Sequence, residues 1–336
     1  MKRYIFLILV LLLISVVIFY FWASSPSMSE EDHIRIKEYS LQAKEQSDTF
    51  SVITYNIGYL SGLINNLAVE REYDAFWNNL KQSYSIVSSL HPDIIGFQEI
   101  DFYAERSFRM NQMDSIALNC AFQEGAYAVN WDKHYVPFPY WPPSVHFGNM
   151  LSGQGILSKF PVLMNKKIIL QKPEENPFWY NAFYLDRLLQ ISHLDVGAGI
   201  IVMNVHLEAF DADTREKQIN RVIIEYENYK NLYPVLLIGD FNCEPPYAES
   251  LHKNERTIAS LLELSDIAQA IPDSIYSESP SDYFTFDSGK PFQKIDYIFY
   301  NPSRISCLDA FVIGAAGEIS DHLPAYMKFT IKNELH

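Results

Sequence analysis

Six short stretches of this chain end or carry, in an apolar run, a side chain that can hold a metal, move a proton or grip an anion. Asn56 closes Ser51-Val52-Ile53-Thr54-Tyr55, and Glu99 closes the run that begins at Pro92. His206 ends Ile201-Val202-Met203-Asn204-Val205, and Asp240 with Asn242 follows Val235-Leu236-Leu237-Ile238-Gly239. Asp296 lies inside Lys294-Ile295-Asp296-Tyr297-Ile298-Phe299, and Asp321-His322 precedes the last apolar run. Carboxylate and amide oxygens suit hard divalent cations, and imidazole exchanges protons near neutral pH. Singly, each residue has an ordinary structural explanation: a turn former, a helix-start acid, a satisfied core histidine. Six in order differ, because ligands of open α/β sheets gather where strands end. Asp296 is also costly to bury alone, so it needs a cation or an imidazole, and His322 is the natural partner.

The elements that must position these groups follow from periodicity. Strand-like runs cover Phe50–Tyr55, Ile94–Gln98, Gln154–Leu157, Lys166–Leu170, Leu188–Leu194, Ile200–His206, Val235–Ile238, Ile295–Tyr300 and Tyr326–Ile331. Phe76, Leu80, Tyr84, Val87 and Leu90 recur at helical spacing, which predicts a helix over Glu72–Leu90. Further helices are expected over Ser115–Phe122 and Asp213–Tyr229. With no repeat or change of composition, one mixed-sheet α/β domain is expected over residues 50–332. Trp131–Phe147, dense in aromatics and proline, reads as a loop, either a packed insertion or a lip facing substrate or membrane.

Hydrophobic residues make up 48% of the 336 and charged residues 20%, which excludes a disordered or coiled-coil chain. The net charge of -15 disfavours non-specific binding of polyanions. Residues 4–23 are apolar apart from Ser15, long enough to cross a bilayer core of about 30 Å. Lys2 and Arg3 before this run assign residues 1–3 to the cytoplasm and the remainder to the other side. A cleaved signal peptide is the competing reading, but bulky Phe19-Tyr20-Phe21-Trp22 stands where cleavage needs small residues. Residues 24–48 read as a tether with some helical character. Cys120, Cys243 and Cys307 form no framework and read as buried thiols.

The ordered set Tyr55-Asn56, Gln98-Glu99, Asn204-Val205-His206-Leu207, Gly239-Asp240-Phe241-Asn242, Ile295-Asp296-Tyr297-Ile298 and Ser320-Asp321-His322-Leu323-Pro324 resembles the endonuclease/exonuclease/phosphatase (DNase I-like) superfamily. The resemblance implies an α/β, four-layer α/β sandwich of two packed mixed β-sheets. It implies that Glu99, Asn56 and Asp321 hold Mg2+ or Mn2+, and that Asp296 orients His322. By the same resemblance Asp240 orients or deprotonates the attacking water, Asn242 binds a phosphate oxygen and His206 stabilises the transition state. Whether Asp240 or His322 is the base stays open.

Arg187 is either a phosphate contact or a surface ion pair, and Arg215 and Gln218 read as helix-surface residues. Gly58 stands where abasic-site endonucleases tend to carry Asp, and His206 where they tend to carry Tyr. Both departures point away from abasic-site repair. The expected activity is hydrolysis of a phosphodiester, with a lipid headgroup as substrate. An exported nuclease or nucleotide phosphoesterase is the alternative, and a catalytically inactive binding module a third. No protein partner is evident.

Overall fold

Strands whose residues are apolar at consecutive positions must be covered on both faces, and this chain has several. The computed structural model describes residues 1–40, 48–248 and 255–332. Its strands are β1 (Ile34–Glu38), β2 (Phe50–Asn56), β3 (Ile94–Asp101), β4 (Glu124–Val136), β5 (Gly148–Ser158), β6 (Val162–Ile169) and β7 (Leu188–Leu194). They continue with β8 (Ile200–His206), β9 (Val235–Asp240), β10 (Ala268–Gln269), β11 (Asp296–Tyr300), β12 (Ile305–Val312) and β13 (Ala325–Ile331). One seven-stranded sheet runs β1-β4-β5-β3-β2-β13-β12, and a six-stranded sheet runs β10-β11-β9-β8-β7-β6. Pairs β2–β3 and β8–β9 are parallel and the other named pairs antiparallel, so both sheets are mixed.

The inner faces meet in a core that includes Val52, Ile94, Ile156, Met327 and Phe329 of one sheet and Val202, Leu236, Ile238 and Ile298 of the other. Helices α1 (Lys2–Ser24), α2 (Tyr73–Leu90), α3 (Gln112–Asn119), α4 (Phe178–Asn181), α5 (Ala212–Lys230) and α6 (Thr257–Leu262) follow in chain order. Phe76, Leu80 and Val87 of α2 and Met113 and Ile116 of α3 pack with Ile53, Ile95 and Phe97 of the seven-stranded sheet. Ile219, Val222 and Tyr226 of α5 and Ile258 and Leu261 of α6 do the same with Met203, Leu237 and Phe299 of the six-stranded sheet. The result is the expected four-layer sandwich, preceded by α1, a helix long and apolar enough to cross a membrane.

Three expectations are corrected. Trp131–Val136 is the second half of β4 rather than loop, because the prolines that forbid pairing begin only at Pro137. Within the stretch read as a tether, Ile34–Glu38 pairs with β4, as the alternation of Ile34 and Ile36 with Arg35 and Lys37 permits; residues 41–47 of that stretch lie outside the described residues. The helix expected over Ser115–Phe122 occupies Gln112–Asn119, since the Asn111 side chain accepts from the Asp114 amide and starts it earlier. All three cysteines are free thiols, with Cys243 buried and Cys120 and Cys307 half-buried.

Candidate active site

Strand register brings the six stretches to one edge of both sheets. Asn56 lies beside Gln98 in the parallel pair β2–β3, and His206 beside Asp240 in β8–β9. Asp240 in turn faces Asp296 across β9–β11. Ala325 pairs with Thr54, which delivers the preceding Ser320-Asp321-His322 to the end of β2. There Ser320 Oγ donates to the Asn56 carbonyl at 2.8 Å.

Local backbone geometry aims the side chains. The β3–β5 register slips between Phe97 and Ile100, and Glu99 within that bulge has φ 51°. A bulge at a site re-aims the side chain it carries. Asn242 also has positive φ, 49°, and its amide donates to Asp240 Oδ1 at 2.9 Å. Gly58 has φ +50°, and a Cβ there would stand 2.7 Å from Ser320 Oγ and 2.8 Å from Asp321 Oδ1. The glycine at this position therefore makes room for the Asp321 carboxylate.

His322 Nδ1 lies 2.9 Å from Asp296 Oδ2, the pairing expected from the sequence, and its Nε2 is 3.8 Å from Asp240 Oδ2. Asn56 Nδ2 donates to the same Asp240 oxygen at 2.9 Å. Burial disfavours the imidazolium, yet carboxylates Asp296 and Asp240 outweigh it and hold the His322 pKa well above the usual histidine value. Asp240 is pushed up to about 7, mainly by burial, with Asp296 adding and His322 opposing.

Arg187 is buried, which removes the surface reading. Its guanidinium contacts His206 Nε2 at 2.5 Å and lies 3.7 Å from Glu208, which also accepts two contacts of 3.0 Å from the Tyr184 hydroxyl. A guanidinium only donates, so His206 Nε2 accepts and the ring proton sits on Nδ1. Burial and then Arg187 and His322 hold the His206 pKa well below the usual value. Arg215 and Gln218 are corrected from surface to buried residues. Arg215 pairs with Glu255 at 2.6 Å and donates to the Glu208 carbonyl, and Gln218 accepts from the Glu208 amide at 2.8 Å. They brace the strand end that carries His206.

Among the described residues, Asp240, Asp296 and His322 offer ligand atoms within 4.8 Å of one another. Asp296 is tied to His322 through Oδ2 and keeps Oδ1 without a hydrogen-bond partner among the described residues, while the imidazole of this trio is a poor ligand for hard cations, which prefer all-oxygen shells. Glu99 and Asp321 line the same cavity, and after burial Glu99 is among the charges that push Asp321 up to about 6. Two half-buried carboxylates in one cavity wall fit a divalent cation, which would offset the repulsion that raises Asp321. Asn56, by contrast, donates from Nδ2 to Asp240 and accepts through Oδ1 from the Gly58 amide at 3.1 Å.

A cavity of about 720 Å³ opens over these groups, with Glu99, Arg187, His206, Asp240, Asn242, Asp321 and His322 in its wall. Asn65, which sequence reasoning missed, is buried and donates to Glu99 Oε2 at 2.8 Å. It comes from an irregular stretch with no strand or helix signature to mark it. Phe286, whose ring centroid lies 5.0 Å from that of His322, was likewise unmarked.

The sequence model of the endonuclease/exonuclease/phosphatase family matches residues 53–322. No curated protein is significantly similar in sequence. Among solved structures, the human Nocturnin catalytic domain with bound sulfate superposes with TM-score 0.59 at 16% identity, covering 91% of this chain and 100% of that one. An endonuclease/exonuclease/phosphatase from Beutenbergia cavernae gives 0.59 at 18% identity, covering 85% and 72%. D. rerio TDP2 complexed with single-strand DNA product gives 0.58 at 14%, covering 84% and 100%. The chain belongs to the endonuclease/exonuclease/phosphatase family of metal-dependent phosphoric ester hydrolases.

Proposed function

We propose that this chain is a membrane-anchored phosphodiesterase that hydrolyses a lipid-headgroup phosphodiester by in-line attack of water. The observation that supports it is the gathering of Glu99, Asp240, His322 and His206 in one cavity wall. Mg2+ or Mn2+, held by Glu99 and Asp321 with Asn56 beside them, would polarise a phosphoryl oxygen. Asp240, with one oxygen fixed by Asn56 and the other by the Asn242 amide, is held to accept a proton from the attacking water. His322, tied through Nδ1 to Asp296, directs Nε2–H at a phosphate oxygen. Arg187 supplies fixed positive charge beside His206 for the negative charge that grows in the transition state. Asn242, whose side-chain Nδ2 gives one N–H to the Leu207 carbonyl at 3.0 Å, offers the other to a second phosphate oxygen.

On this reading α1 anchors the chain through residues 4–23, with residues 1–3 in the cytoplasm and the catalytic domain on the far side. A signal peptide remains the competing fate of the helix. The likeness to a TDP2 solved with DNA product favours a second substrate reading, an exported nuclease or nucleotide phosphoesterase. The net charge of -15 weighs against it.

The full chain in detergent is expected to hydrolyse bis-p-nitrophenyl phosphate with Mg2+ or Mn2+ and to lose that activity with EDTA. Sphingomyelin, phosphatidylinositol phosphates and plasmid DNA then rank the substrates. Inactivity on all of them with metal bound would leave the binding-module reading instead.

A further inference from the structure

Tyr20 belongs to the apolar segment of α1, yet its ring is part of the wall of the cavity that holds Glu99, Asp240 and His322. It meets Phe183 edge-on, centroids 5.6 Å apart, while Phe19 meets Tyr135 at 5.8 Å and Trp22 meets His134 at 5.5 Å. Lys133 Nζ donates to the Ser24 carbonyl at 2.9 Å, and the His134 amide to the Ser25 carbonyl at 3.1 Å. The last turn of α1 is thus fastened to β4 beside the site, and the cavity reaches the level of that turn.

Large rings crowd the same region. Trp141 is 77% exposed, Phe178 79% and Phe210 86%, with Tyr140 and Trp179 also more than half exposed. They come from three separate segments, and Tyr140, Trp179 and Phe210 line the cavity itself. Exposed apolar surface on this scale calls for an apolar partner. Trp and Tyr favour the headgroup layer, where one end of the ring is wet and the other is not. Tyr20 and Phe183 share the cavity wall with Tyr140, Trp179 and Phe210, and the rest of α1 exposes an apolar surface. The net charge of -15 removes attraction to an anionic leaflet as the cause of docking.

We propose that Tyr140, Trp141, Phe178, Trp179 and Phe210 form a bilayer-docking rim, seated in the headgroup layer of the leaflet from which α1 emerges. The site then takes its phosphodiester directly from that leaflet, the headgroup reaching the carboxylates and the apolar remainder passing between Tyr20, Phe183 and Trp179. The substrate half deepens the phosphodiesterase reading and rests on it; the docking half does not.

The test uses the full chain in phosphatidylcholine nanodiscs. Lipids brominated near the top of the acyl chain should quench tryptophan fluorescence, and Trp141→Phe with Trp179→Phe should remove much of the quenchable signal. Raising the salt should leave the quenching unchanged. Discs carrying sphingomyelin or phosphatidylinositol then report turnover. Trp141→Ala with Phe178→Ala, two exposed rim residues outside the cavity wall, should lower lipid hydrolysis about tenfold while leaving bis-p-nitrophenyl phosphate hydrolysis as it was. Equal quenching in the wild type and the Phe pair places the rim off the bilayer and overturns the proposal, as does burial of the rim against a second copy. Hydrolysis of the soluble diester with none of these three lipids cleaved overturns the substrate half. Loss of even the soluble reaction sinks the phosphodiesterase reading, with the quenching result standing by itself.

Discussion

His322 sits between two carboxylates, and each does a different thing to it. Asp296 fixes the ring through Nδ1, whereas Asp240, at 3.8 Å, meets the edge that would face a phosphate. His322→Ala is expected to lower turnover by about 10²–10⁴-fold with the circular dichroism spectrum unchanged. Because the substitution strands the Asp296 carboxylate, the pair His322→Ala with Asp296→Asn controls for stability. Collapse of the fold in both variants would make the residue a core histidine. Gly58→Ala tests the other side of the site. With φ +50° and a Cβ crowding the Ser320 hydroxyl, it should destabilise the protein by about 1–3 kcal/mol and weaken Mg2+ binding, read by denaturant midpoint and calorimetry. The pairing of Asp296 with His322 was legible in the sequence because a carboxylate in an apolar run demands a partner. Asn65 and the burial of Arg187 were not, because nothing in their neighbours' pattern fixes which way they point.

Among the elements, strands that carry the site were read to within a few residues, since continuous apolar runs ended by a polar side chain are a strong signal. The edge strands β1, β10 and β12 escaped, being short or mixed in polarity, and pairing alone defines them. β1 and the segment before it dock through Asp132 of β4. That carboxylate accepts from the Ser27 amide at 2.7 Å, the Ser27 hydroxyl at 2.6 Å, the Met28 amide at 3.0 Å and His33 at 3.0 Å. Burial works against ionisation, but these donors hold its pKa below the usual carboxylate value. Its stabilisation is therefore complete above the ordinary aspartate pKa of about 4 and fades as pH falls through the depressed one. Hydrogen exchange of residues 27–38 should rise in that acid window and not in the neutral range. Asp132→Ala should raise it at neutral pH, with a cost of about 1–3 kcal/mol.

At the scale of the molecule, the two readings of α1 differ in mass. An anchored chain recovered from membranes should keep residues 1–23, resist extraction by alkaline carbonate and give the full 38.9 kDa. A shorter species starting after Ala23 would make the helix a signal peptide. The mixed-sheet α/β class and the placing of polar groups at strand ends were legible from the sequence, while the layer order came from the family resemblance. The contact of Tyr20 with the site was not, because a membrane-length helix carries no mark of what its last turn touches.

The fastening of Ser24 and Ser25 to β4 leaves almost no slack between helix and catalytic body. Set in a bilayer, such a body does not swing on a leash, and its reach ends within its own footprint. On the proposed lipid substrate, encounters would depend on lateral diffusion in a plane, so surface density rather than bulk concentration would set the rate. Diluting a lipid substrate within the disc should slow the enzyme, while diluting the discs themselves should not.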